Sequence, residues 1–158
     1  MEDNRSRVAA GGSRTTGAIV LRAVRQSWSN SGVRFVHLTL ATPEIERTAA
    51  FIERTLGYPR KALPANVIGE AIWFDLGRGQ EMHVLHVPGF SISPFEAEYG
   101  RHVALLHPLP DFPALKARLV AAGAVLIDPL RPTPFERFFF REPVNGYVFE
   151  IIDQGVAP

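Results

Sequence analysis

Four side chains in this sequence have the types and spacing to do chemistry together: His37, His83, His102 and Glu150. Imidazole and carboxylate donors make a hard-to-borderline divalent metal site, one that suits Fe, Ni, Co, Mn or Zn. Two histidines and one carboxylate on one face leave coordination positions open for substrate or oxygen. Glu150 is the sharpest of the four, because it interrupts the apolar run Val148–Ile152. A carboxylate buried in such a strand must be paired or coordinated. A single histidine on a strand is more often a satisfied core or edge residue, so the metal reading rests on the set. There is no cysteine, which removes disulfides, thiolate ligands and thiol nucleophiles.

The elements that must carry these residues come as the same unit twice. Arg34–Leu40 alternates like a half-buried strand, and a helix follows with Thr42 as its cap and Pro43 at its first position. Ile45, Ala49, Ile52 and Leu56 share one helical face, and Gly57 ends the helix. Strands are expected near 58–63, 68–76 and 80–87, the last two joined by the Gly77-Arg78-Gly79 turn. The second unit repeats this order. It has a strand at 101–106, a helix capped by Asp111 with Phe112, Leu115, Leu119 and Ala122 on one face, a stop at Gly123, and strands near 124–127, 135–141 and 146–152. Equivalent landmarks lie 65 residues apart for His37 and His102, 66 for Gly57 and Gly123, and 67 for His83 and Glu150. Two copies of one unit imply paired sheets related by an approximate two-fold axis, within one chain or across a dimer.

Strand parity then sorts the polar residues. Val36, Leu38 and Leu40 form the apolar set facing the first helix, leaving His37 and Thr39 opposite. Val103 and Leu105 likewise leave His102 and Ala104 on the other face, and Glu150 shares its face with Val148 and Ile152. His83 goes with Glu81 and Leu85. If the helix-free faces curl around one cavity, the four donors converge there. His86 and His107 have the opposite parity and read as surface or helix-facing residues. One of Phe138, Phe139 and Phe140 must face the cavity, while Arg137 and Arg141 beside them read as solvated surface arginines.

Composition bounds the rest. The chain has 158 residues, 46% hydrophobic and 21% charged, a one-domain length with an ordinary globular composition. A net charge of +1 gives no electrostatic footprint for nucleic acid. No apolar run nears the ~20 residues needed to cross a bilayer, so no membrane partner is expected and the location expected is cytoplasmic. Residues 1–32 set five arginines against Glu2 and Asp3 amid Ser, Gly and Asn, and read as a poorly ordered N-terminal extension. A single domain spans 33–158, with modules at 33–87 and 101–153 and the loop Pro88–Gly100 between them.

The chain resembles the vicinal oxygen chelate superfamily, the glyoxalase, bleomycin-resistance and extradiol dioxygenase group. The resemblance is carried by His37-Leu-Thr-Leu, the helix 43–56 ending Leu56-Gly57-Tyr58, Gln80-Glu-Met-His83-Val, Gly100-Arg-His102-Val-Ala, and the helix Phe112–Gly123. The closing run Phe139-Phe-Arg-Glu-Pro-Val-Asn-Gly-Tyr-Val-Phe-Glu150 is its most specific part, and coverage is about residues 33–153. It implies an α+β fold of paired βαβββ modules whose curved mixed sheets enclose a metal, with His37, His83, His102 and Glu150 as ligands. A homodimer is implied as well. Two departures stand out. Glu142-Pro143-Val144-Asn145-Gly146 replaces the usual Asp-Pro and a turn one residue shorter. A histidine at 83 replaces the glutamate or glutamine of the glyoxalase and epimerase branches.

Three functions compete on this basis. A glyoxalase-like lyase or isomerase acting on a small organic substrate with neighbouring oxygens is favoured, with four protein ligands and Glu150 moving a proton as general base. An extradiol-type Fe(II) dioxygenase would use His37, His102 and Glu150 on iron and His83 as acid or base. A non-catalytic small-molecule binding protein, as among the bleomycin-resistance members, is the reading from another class. Metal-assisted fosfomycin modification is a fourth possibility without its own signature here.

Overall fold

The computed structural model describes residues 34–156; residues 1–33, which include the expected extension, lie outside it. The first module runs β1 (His37–Thr42), α1 (Ile45–Leu56), β2 (Arg60–Lys61), β3 (Ala71–Gly77) and β4 (Gln80–His86). The second runs β5 (Val103–His107), α2 (Phe112–Ala121), β6 (Val125–Ile127), β7 (Arg137–Arg141) and β8 (Val148–Asp153). Each module is a four-stranded mixed sheet, in the orders β1-β4-β3-β2 and β5-β8-β7-β6. In both, the first strand pairs parallel with the last, and the other pairings are antiparallel. The expected repeat is therefore present in the topology, as an α+β fold.

Local chemistry explains the boundaries. Thr42 ends β1, and its hydroxyl accepts the Glu44 N–H at 3.0 Å, so it serves the helix entrance from the strand while regular α1 starts at Ile45. Gly57 takes φ +75° at the helix exit, where its N–H reaches the Glu53 carbonyl, a conformation that strains residues with a Cβ. Asp111 makes no side-chain cap; Pro108 and a 3-10 turn at Leu109–Asp111 lead into α2 instead.

Both helices cover the same side. Leu40, Phe51, Ile52, Phe74, Met82 and Val84 from the first module join Phe112, Leu115, Leu119, Phe138, Phe140 and Phe149 from the second in one buried core. Phe51 and Phe140 meet across the junction with ring centroids 6.2 Å apart. Backbone and side-chain bonds reinforce it: the Tyr147 hydroxyl accepts the Ala41 N–H at 3.0 Å and donates to the Ala41 carbonyl at 2.9 Å, satisfying the free edge of β1. The opposite face of each sheet carries residues of the other parity, outside that core. Val36 departs from the expectation: it precedes β1 and is half exposed, because the core-facing set begins at Leu38.

Candidate metal centre

On the open face of the first sheet, three rings stack side by side across β3, β4 and β1. Trp73 lies on His83 at 3.8 Å between centroids and 8° between planes, and His83 lies on His37 at 4.3 Å and 17°. The register makes this stack, since Trp73 and Thr39 both sit opposite His83 and alternate residues share a face. The in-plane Nε2 of His83 is engaged by Glu81 Oε2 at 2.8 Å. Glu81 is bonded in turn by Lys61, and these two partners, Lys61 foremost, hold the Glu81 carboxyl below its ordinary pKa against the effect of burial. His83 is therefore oriented by a carboxylate and walled by an indole, an arrangement suited to moving a proton.

The open face of the second sheet carries Glu150, and His102 stands beside it on the residue just before β5, which starts at Val103 and not at the expected 101. Glu150 lies between Ala104 of β5 and Phe139 of β7 in the register, and is 6% exposed. Its Oε2 stands 3.4 Å from His102 Nε2. That is long for a charge-assisted hydrogen bond and close to the ~3.3 Å edge between two donors sharing one ion at ~2.0–2.1 Å in tetrahedral geometry. The His102 ring meets Phe139 edge-on, with centroids 5.3 Å apart, and its buried Nδ1 has no partner among the described residues. Packing rather than a hydrogen bond sets that ring. His102 also lines two clefts, of about 190 and 400 Å³, that share Leu38 and Val103 and lie within or near the usual scale of small-molecule sites.

The other Glu150 oxygen belongs to Arg137, whose Nη1 donates to Oε1 at 2.6 Å. This overturns the expectation of a solvated Arg137: the residue is 7% exposed, because it shares the parity of Phe139 and so lies on the face of Glu150. Its Nη2 donates to Glu98 Oε1 at 2.5 Å and to the Arg131 carbonyl at 2.6 Å. Arg141 is tied to backbone as well, donating to the Gly146 and Glu96 carbonyls at 2.8 and 2.9 Å. Phe139 is the member of the phenylalanine run that faces this side. His107 stacks on Phe112 on the helix side, and His86 pairs with the exposed Glu70, as parity had indicated.

The four expected ligands thus fall into two pairs, His37 with His83 and His102 with Glu150. Among the described residues of one chain, no three His, Asp or Glu side chains come close enough to hold an ion. Glu98 and Trp73 are neighbours that motif reading passes over, whereas it places Glu81 on the face of His83 without a role and reads Arg137 as solvated. For Arg137, Glu81 and Trp73 the available signal was their shared parity with Glu150 or His83; Glu98 lies in a loop, where parity says nothing. No helix among the described residues is long and apolar enough to cross a membrane.

No protein-family model matches the sequence, and no curated protein sequence matches it. Solved structures do. A protein assigned to the glyoxalase family from Bacillus anthracis superposes with a TM-score of 0.62 at 24% identity, over 78% of this chain and 97% of that one. A glyoxalase/dioxygenase from Nostoc punctiforme gives 0.64 at 15% identity, over 79% and 93%. A mutant of the fosfomycin resistance protein FosX from Listeria monocytogenes, complexed with Mn(II) and 1S,2S-dihydroxypropylphosphonic acid, gives 0.60 at 20% identity, over 78% and 92%. With sheet orders, parallel closing pairs and repeat in place, these superpositions show that the chain has the paired-module fold of the vicinal oxygen chelate proteins.

Proposed function

We propose that this chain is a divalent-metal-dependent enzyme acting on a small organic substrate that presents neighbouring oxygens. The observation that carries the proposal is the His102–Glu150 pair, a half-buried imidazole beside a buried carboxylate with donor atoms 3.4 Å apart. His37, on the equivalent strand of the other module, is the third ligand. Because no three donors meet within the described residues of one chain, we assign His37 to the site of a second copy, the first module of each facing the second module of the other in a homodimer. The bound ion would act as a Lewis acid for the substrate oxygens. His83 is then no ligand: its Nε2 is held by Glu81, and its Nδ1 is left to take or give a proton beside the site. Glu150, fixed by Arg137, orients and neutralises instead of shuttling protons. A glyoxalase-like lyase or isomerase remains the favoured class.

The specific observation favouring the extradiol alternative is the same release of His83 from the ligand set, since two histidines and a carboxylate are also the Fe(II) oxygenase arrangement. Purified wild-type and Glu150→Gln protein, each exposed to Fe(II), Ni, Co, Mn and Zn, decides the metal question first. One ion per wild-type site, lost in the variant, is expected; no stoichiometric ion in the wild type refutes the proposal and leaves the binding-protein reading. Proton exchange or isomerisation of a hydroxy-carbonyl substrate without oxygen uptake supports the lyase class. Oxygen uptake with catechols under iron alone replaces it with the dioxygenase.

A further inference from the structure

Arg137 poses a problem for any ion at Glu150. A buried guanidinium already sits on one carboxylate oxygen, and with Arg137 and Glu150 alone the local charge is zero. A divalent ion brought to two neutral imidazoles and a fully compensated carboxylate would gain little attraction. The loop between the modules supplies what is missing. Glu98, whose side chain is 6% exposed, takes the other arm of Arg137 at 2.5 Å. It also accepts the Arg131 N–H at 3.2 Å and the Leu130 N–H. Burial opposes the ionisation of Glu98, but the Leu130 N–H, Arg137 and the Arg131 N–H outweigh it, and its carboxyl titrates below the ordinary range.

We infer that Glu98 is a positioning residue for the metal centre: it neutralises Arg137, so that Arg137 fixes the Glu150 carboxylate geometrically without cancelling the charge offered to the ion. The geometry matches this division of labour. Arg137 bonds Oε1 of Glu150 and leaves Oε2 toward His102, holding the carboxylate for one-oxygen ligation. Arg137 is itself immobilised by Glu98, by the Arg131 carbonyl and by the Phe139 ring, 5.2 Å from its guanidinium carbon. Two anions and one cation leave a net charge of −1 in a buried place, where it is screened little by salt. The inference rests on the metal reading above and gives the loop Pro88–Gly100 a role at the metal centre.

The test is Mn(II) alone, titrated against wild type, Glu98→Gln and the double variant Glu98→Gln/Arg137→Gln, with binding read by competition against a fluorescent chelator. Glutamine at 98 keeps one carbonyl acceptor and removes the charge, at the cost of turning its NH2 toward the donor on the other oxygen. We expect the single variant to weaken Mn(II) by about 10–100-fold, the range for residues that orient metal ligands. Removing the competing guanidinium as well is expected to make the double variant bind Mn(II) more tightly than the single one, short of wild type because Arg137 also orients Glu150, a coupling that a purely structural role would not produce. Thermal unfolding of the metal-free proteins confirms that each variant is folded. Wild-type affinity in the single variant overturns the inference, as does a double variant that stays as weak as the single. Wild-type protein that binds no Mn(II) or other ion overturns the metal reading and this inference with it, which separates the two failures.

Discussion

The strand that carries Glu150 is set by one buried side chain in the turn before it, and the removal of that side chain's charge gives a sharp prediction. Glu142 is 3% exposed and gathers the turn between β7 and β8. Its Oε1 accepts the N–H groups of Asn145, Gly146 and Tyr147 at 2.7, 3.0 and 3.3 Å, and its Oε2 accepts that of Val144 at 2.7 Å. Glu142→Gln must place an amide NH2 against at least one of these donors. That removes one charge-assisted bond of ~1.5–3 kcal/mol and weakens the others by discharging their acceptor. We expect a loss of about 2–3 kcal/mol, tempered by partial water access at the turn. In urea, with a slope of ~1–3 kcal/mol/M, this is a fall in midpoint of about 0.7–3 M at unchanged slope. Equilibrium unfolding followed by tryptophan fluorescence reads it. A midpoint within ~0.3 M of wild type would show that the carboxylate is not the organiser of the turn, and the register of Glu150 would need another cause.

Further expectations come from the same contacts. Tyr147→Phe strips both partners from the Ala41 backbone and is expected to cost about 1–3 kcal/mol, read by urea unfolding; a neutral result means that the two modules of one chain do not meet through this hydroxyl. Burial raises the Tyr147 pKa above 10.0, helped by the Glu142 and Glu96 charges and opposed by the Ala41 bond and Arg101. The folded state thus keeps a proton that the unfolded state loses, so this contribution is whole below about pH 10 and lost above it. Tyr147→Phe should flatten that alkaline decline without abolishing it, since burial raises Tyr58 in the same direction. His83→Ala is expected to leave metal affinity within a few-fold of wild type while lowering turnover by ~10²–10⁴. A large loss of metal affinity in that variant restores the four-ligand set.

Much of this fold was legible because its signals are local. The spacing of Ile45, Ala49, Ile52 and Leu56, the stop at Gly57, and the alternation around His37, His83 and Glu150 each depend on a few neighbouring residues, and the repeat multiplies them. Parity assigned His37, His83 and Glu150 to the faces they occupy, and His102 sits just before its strand beside Glu150. It could not assign them to one another, because which open face meets which is fixed by module packing. The common core formed by Leu40, Phe51 and Phe74 with Phe112, Phe140 and Phe149 is a long-range fact with no sequence period.

Arg137 shows the same limit from the side of charge. A lone arginine flanking a phenylalanine run is ordinarily solvated, and the physical prior for burying it is poor unless two partners wait inside. One partner, Glu150, stands 13 residues away across a hairpin; the other, Glu98, stands 39 residues away in a loop. Only their simultaneous presence makes the buried guanidinium affordable, and only the burial makes Glu98 matter to Glu150. A candidate metal site read from donor residues alone therefore omits the charges that decide whether it takes an ion. In this chain those charges come from the next strand and from the connector between the modules, so substitutions in a loop that supplies no ligand itself are expected to set the metal affinity.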